Sequence, residues 1–172
     1  MEATNRERWK SVNGFANYEI SSCGRVRNAT TERMLKSSDN GQGYLKINLY
    51  KAGKPSTMKI HKLVAEAFVD NPEGKRCVDH IDSNRKNNNW ENLRPATHLE
   101  NNRHVTKTSK PTSSIYKGVD YDKRMGMWRA RIRTQEKRIH LGFFTSERQA
   151  GIAYNLAAVQ HHTNFAKLND LD

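Results

Sequence analysis

The apolar residues of this chain come in short runs, and each run is closed off within a few positions by residues that turn the backbone. NYEI runs into Ser-Ser-Cys-Gly at 21–24, and YLKINLY into Lys-Ala-Gly-Lys at 51–54. With only 35% of 172 residues hydrophobic, one large core is out of reach. Several small modules are expected, each a short sheet with a helix.

The remaining surface is strongly basic. Thirty Lys and Arg stand against eighteen Asp and Glu, a formal charge of +12, and the excess is spread along the chain. A long polyanion is the partner that such a distribution suits. No run approaches the roughly 20 apolar residues of a membrane helix, and MEATNRERWK lacks the apolar segment of a signal peptide. An intracellular protein with no membrane partner is therefore expected. Cys23 and Cys77 stand alone with no CxxC pair, so neither a zinc ribbon nor a disulfide framework is encoded, and both read as reduced, unreactive thiols.

Periodicity places the elements. Tyr18, Ile20 and Val26 flank the Ser-Ser-Cys-Gly turn as a hairpin, and YLKINLY (44–50) with TMKI (57–60) forms a second strand pair. In HKLVAEAF, residues Leu63, Val64, Ala67 and Phe68 recur at helical spacing. CVDHID (77–82) reads as a strand entering the Asn-rich loop SNRKNNNWENL, and THLENNRHV (97–105) as a helix opened by Thr97 and Glu100. VTKTSKPTSS (105–114) has a linker's composition. Beyond it IYKGVDYD, MWRARIRT and KRIHLGFF are strand-like, and SERQAGIAYNLAAVQHH is an Ala-rich helix with a Ser146/Gln149 capping pair.

Chemistry is concentrated in strand, loop and following helix: Asp79-His80, Asn92 and Asn101. Phosphodiester hydrolysis needs a base for the attacking water and a cation to offset charge at the phosphate. Neutral His supplies the first, and Asp with a side-chain carbonyl suits a hard ion. Adjacent residues of a regular strand face opposite ways, so Asp79 and His80 can serve one phosphate only from a distorted strand end. His98, three residues before Asn101 on the same helix face, is a rival ligand or phosphate contact. Asp82 reads as a turn cap, with aid to the metal through a water as the alternative, and His61 as a capping or packing residue. Arg85, Lys86 and Arg94 flank the centre as candidate phosphate contacts.

The segment VDHIDSNRKNNNWENLRPATHLENN resembles the HNH endonuclease family, in particular phage and intron-type homing enzymes. The resemblance covers about fifty residues once HKLVAEAF is included. It implies Asp79 as a metal ligand, His80 as general base, Asn92 bracing the loop and orienting His80, and Asn101 as the second metal ligand. Many members have His at the last position; Asn here implies Mg²⁺ or Mn²⁺. W-K-x-V-x-G-F-x-x-Y-x-I-S-x-x-G-x-V resembles the short module that often precedes HNH centres. Its Trp9, Tyr18 and Ile20 would be core, and Lys10, Arg25 and Arg27 would be placed to touch DNA.

From Tyr116 the chain resembles the Apetala/ethylene-response-factor type of DNA-binding domain over nearly that domain's whole length. Alternation argues the same way: Trp128, Ala130 and Ile132 share one strand face, Arg129, Arg131 and Arg133 the other. Three arginines in a row repel unless an anion is present. In that family the sheet lies in the major groove, where Arg can pair with guanine. Lys117, Arg124, Arg138 and His140 complete the expected contact set. Arg131 stands where the family often has Glu, and His140 where it often has Trp, so base preference does not carry over.

The expectation is an α+β protein: an HNH-associated module (1–50), a ββα-metal nuclease (51–104), a linker (105–113), and a three-stranded antiparallel sheet packed on one helix (114–169). It would be a site-specific endonuclease on double-stranded DNA, monomeric, inside the host cell of a phage or mobile element. The alternative is a DNA-binding regulator with an inactive nuclease centre.

Overall fold

A computed structural model describes residues 7–105 and 113–171. It is mixed α and β, in two compact units divided after Thr97. The linker read at 105–113 falls almost wholly outside the described residues.

The first unit starts with a four-stranded antiparallel sheet of β1 (Trp9–Val12), β2 (Phe15–Ser21), β3 (Val26–Asn28) and β4 (Met34–Leu35), in that order. The Ser21–Gly24 turn joins β2 to β3 as the sequence indicates, with Ile20 opposite Val26. Next come β5 (Ser38–Asp39), β6 (Leu45–Lys51) and β7 (Lys54–Lys59). Positive φ at Ala52 (49°) and Gly53 (76°) makes the two-residue β6–β7 turn, whose twist matches that of the strands. Helix α1 (Ile60–Phe68) buries Ile60, Leu63 and Val64. Lys10 Nζ closes its C-terminus by donating to the Ala67 carbonyl at 2.6 Å. A two-stranded ribbon follows, β8 (Cys77–His80) against β9 (Leu93–Ala96).

One core joins these pieces. Val12, Ile20 and Val26 pack with Ile47, Leu49, Ile60, Leu63, Val64 and Leu93; each such side chain contributes about 1.5–3 kcal/mol by leaving water. The expected boundary at residue 50 lies inside β6 and within this core, so it divides sequence rather than packing. Trp9 and Tyr18 are half-buried and Ile20 fully buried.

The second unit begins with α2 (His98–His104) and continues as β10 (Val119–Asp122), β11 (Met127–Arg133), β12 (Arg138–Phe144) and α3 (Glu147–His162). The strands form an antiparallel sheet in sequence order, and Ser146 caps α3 by accepting from Gln149 N at 3.4 Å. Ala130 and Ile132 are buried, as alternation requires, in clusters that include Ala150, Tyr154, Ala157 and Ala158 of α3. Gly118 lets strand and helix approach: a Cβ there would lie 2.1 Å from the Tyr154 ring. A bulge at Leu141 interrupts the β11–β12 register, since Ala130 faces Gly142 while Arg131 faces His140.

Candidate active site

The loop between β8 and β9 is polar but tightly bonded. Asp82 is its hub: it accepts from Asn84 N (2.7 Å), Asn87 Nδ2 (2.7 Å) and Asn92 Nδ2 (2.9 Å). Asn92 also donates to the Asn87 carbonyl at 2.8 Å and accepts from Asp82 N at 3.0 Å. Burial would raise the Asp82 pKa, but the bonds from Asn87, Asn84 and Asn92 outweigh it and hold the carboxyl below its ordinary value. Asp82 is thus a turn-organising residue, and Asn92 braces the loop.

The side chain in contact with the His80 ring nitrogen is Asn88, whereas the Asn92 side chain bonds Asp82 and Asn87. His80 Nε2 lies 3.1 Å from Asn88 Oδ1. The Asn88 amide has its direction set because Nδ2 donates to the Lys86 carbonyl at 3.2 Å, leaving Oδ1 to accept. With the amide so oriented, the contact favours the tautomer that has its proton on Nε2 and its basic lone pair on Nδ1. His80 and Asn88 are each only 4% exposed. Burial pushes the His80 pKa below its ordinary value, against smaller opposing effects of Asn88, Asp82 and Asp79, so a neutral base is favoured.

Around His80 stand two residues that the sequence reading missed or undervalued. The His61 ring meets it edge-on with centroids 5.2 Å apart, and Tyr44 tilts against both, at 5.0 Å from His61 and 6.0 Å from His80. His61 is buried, its Nδ1 has no hydrogen-bond partner, and its pKa is pushed down to about 3, first by burial and then by His80. Its place beside Val64 on the apolar face of α1 was a readable signal; the choice of Asn88 among three consecutive asparagines was not.

Asp79, 5% exposed, accepts from Arg94 through Nε (2.8 Å) and Nη2 (2.7 Å), both at Oδ2. Arg94 is thus committed to Asp79 across the ribbon instead of standing outward for phosphate. His80 ends β8 as required, but the ladder through Asp79 and His80 is regular, with partners Arg94 and Leu93, so no bulge supplies the expected distortion. Arg85 and Lys86 are exposed yet tethered: Arg85 donates to the Gln42 carbonyl at 2.9 Å and lies over Tyr44, and Lys86 is 3.4 Å from Asp39. On α2, His98 is exposed and Asn101 half-buried. Among the described residues no cluster of three or more His, Cys, Asp or Glu could hold a metal; the expected donors are one carboxylate and one carboxamide.

Several expected DNA contacts are engaged elsewhere. Lys117 donates to the carbonyls of Arg103 (2.5 Å) and Val105 (2.7 Å), and burial lowers its pKa to about 8; it closes the end of α2. Arg129 bonds Asp120 (2.6 Å) and Asp122 (3.0 Å), and Arg131 bonds Asp120 (2.7 Å). The anion that an arginine row needs is built in on β10. Arg124, Arg133, Arg138 and His140 remain exposed. In the first unit Lys10 caps α1, Arg25 pairs with Glu7, and Arg27 pairs with Glu19 at 2.7 Å. Cys23 is exposed and Cys77 half-buried, and neither is in a disulfide.

Residues 59–103 match the HNH endonuclease family model. Residues 7–50 match the NUMOD4 motif. The chain is 38% identical over 90 residues to the DNA endonuclease I-HmuI of Bacillus phage SP01, covering 52% of each chain. It is 32% identical over 89 residues to the H-N-H endonuclease F-TflII of Escherichia phage T5, covering 51% of this chain and 46% of that one. A solved structure described as DNA binding and cleavage by the HNH homing endonuclease I-HmuI aligns with TM-score 0.53 and 35% identity, over 60% of this chain and 63% of that one. The chain thus spans about half the length of these curated relatives. Among the described residues no helix is long and apolar enough to cross a membrane.

Proposed function

We propose that the chain is a site-specific DNA endonuclease that hydrolyses phosphodiester bonds in duplex DNA, with His80 as the general base. The observation that carries this reading is the buried His80, whose Nε2 lies 3.1 Å from Asn88 Oδ1, inside a segment matched to the HNH endonuclease model. Nδ1 takes the proton of the attacking water as its oxygen bonds to phosphorus and the P–O bond to the leaving oxygen breaks. The imidazolium so formed keeps its bond to the Asn88 carbonyl and is favoured by the charges of Asp82 and Asp79.

Asp79 and Asn101 are the residues that would hold a divalent cation, and their oxygen donors fit Mg²⁺ or Mn²⁺ better than a softer ion. Such an ion supplies charge stabilisation at the phosphate and leaving oxygen. Arg94, already on Asp79 Oδ2, neutralises the carboxylate when no cation is bound.

The second unit, with its three-stranded sheet and Ala-rich helix, is proposed as an Apetala-type DNA-binding domain that sets site choice. Arg124, Arg133, Arg138 and His140 are its candidate contacts, since Arg129 and Arg131 are neutralised internally. A duplex-DNA digest with Mg²⁺, repeated with EDTA, tests the activity: cleavage in the first and none in the second is expected. A chain ended at Lys110, which lies outside the described residues, should still cut but bind less selectively.

A further inference from the structure

We infer that the N-terminal turn Ser21–Gly24 is a positioning element of the nuclease centre: it seats Asn88 and through it fixes the His80 imidazole. This rests on the reading of His80 as base and adds a role for the N-terminal motif other than contact with DNA.

The turn lies directly against the loop that carries Asn88. Gly24 has φ +84°, and a Cβ on it would fall 2.8 Å from the Asn88 Cβ, 3.4 Å from the Asn88 carbonyl oxygen and 3.2 Å from Ile60 Cγ2. The absent side chain is therefore where Asn88 packs. Two residues further on, Trp90 N donates to the Ser22 carbonyl at 2.9 Å, which ties the loop backbone to the turn. Arg8, whose backbone exchanges hydrogen bonds with Ser22, lies over the Trp90 ring at 4.7 Å. The turn is itself rigid: Ser21 and Ser22 are 0% and 3% exposed, and Ser21 Oγ accepts from Cys23 N (3.3 Å) and Arg25 N (2.9 Å). Asn88 thus has two fixed sides, the turn behind it and His80 in front.

Three variants and two measurements decide this. Gly24→Ala introduces the clash; Ser21→Ala loosens the turn without adding an atom; Gly14→Ala is the control, since Gly14 has φ +75° with nothing within 4 Å of its would-be Cβ. The first measurement is the single-turnover cleavage rate beside DNA affinity. The second is the ¹⁵N imidazole spectrum of His80 in the DNA-free protein at a pH where the ring is neutral, which reports the tautomer whether or not the protein cuts.

Gly24→Ala should lower the single-turnover rate on the order of 100-fold, the usual effect of displacing a reacting group by about 1 Å, with affinity within about threefold. Its His80 should change from the Nε2–H form to a tautomer mixture. Ser21→Ala should move both readouts the same way by less, and Gly14→Ala neither. Unchanged His80 signals in folded Gly24→Ala and Ser21→Ala would overturn the inference; if Gly24→Ala does not fold, Ser21→Ala alone decides. Wild-type cleavage by His80→Ala would instead remove the base assignment and leave the spectrum to judge the turn.

Discussion

His80 Nε2 lies 3.1 Å from Asn88 Oδ1, and this contact favours Nδ1 as the basic imidazole nitrogen. Because Asn88 Nδ2 is occupied by the Lys86 carbonyl, the reverse assignment would set two lone pairs against each other. Asn88 thus makes the contact with His80 that the family resemblance had led one to expect of Asn92, while Asn92 bonds Asp82.

The Asp79–Arg94 pair gives a prediction about metal. Arg94→Ala leaves the Asp79 carboxylate without its guanidinium and should destabilise the fold by about 3 kcal/mol, the usual cost of breaking a buried pair from one side. Mg²⁺ should then raise the Tm of Arg94→Ala more than that of the wild type, and raise that of Asp79→Ala least. Equal Mg²⁺ shifts in all three proteins would place the ion away from Asp79.

His61 predicts a specific acid sensitivity. Its pKa is about 3 when folded against an ordinary 6.5, so above pH 6.5 it is neutral in both states and adds no pH dependence. As pH falls below 6.5 the unfolded chain takes up a proton that the folded chain refuses, and stability is lost until about pH 3. Between pH 6.5 and 5 the loss is about 2 kcal/mol. Other buried histidines such as His80 lower stability over the same range, so chemical denaturation at both pH values should show a loss larger by that amount in the wild type than in His61→Phe; equal losses would mean that His61 is protonated normally.

The internal pairing of Arg129 and Arg131 separates two kinds of arginine. Arg133→Ala and Arg138→Ala should weaken DNA binding and reduce the salt slope by about 1 each, as loss of a phosphate contact does. Arg129→Ala should instead lower thermal stability, because Asp120 and Asp122 lose their shared partner. Salt-titrated binding with Tm values on the same proteins checks this; a salt slope altered by Arg129→Ala and not by Arg133→Ala would reverse the assignment.

Much of this arrangement was legible in the sequence. The hairpin around Ser21–Gly24, the apolar stripe of α1, and the three strands and Ala-rich helix of the second unit follow from short-period patterns, which depend on neighbours in sequence. Strand β9 was not read, because Leu-Arg-Pro-Ala has neither alternation nor β-branched residues; Pro95 is tolerated in a two-stranded ribbon, where every strand is an edge. The partners of charged groups were the least legible. Asp120 and Asp122 alternate on β10, but only the β10–β11 register sets Asp120 opposite Arg129. Likewise nothing local distinguishes Asn88 from Asn87 and Asn89, and only the packing of Gly24 against it does.

Stoichiometry gives a further expectation. On the proposed function, one Asp79-His80 pair per chain would present one centre to one strand, and the two unlike parts proposed to bind DNA would suit an asymmetric site better than a palindrome. A supercoiled plasmid with one site should accumulate open-circular DNA before linear DNA. Direct conversion to linear product, with second-order dependence on protein, would point to a dimer.

The most direct measurement compares wild type with His80→Ala on genomic DNA in Mg²⁺ or Mn²⁺, with the DNA ends mapped and binding followed in parallel. The wild type should produce ends at a reproducible position, and EDTA should abolish them. His80→Ala should bind within a few fold of wild type and cut slower by about 10²–10⁴. Wild-type cleavage by His80→Ala, or no cleavage by the wild type with either ion, would contradict the account.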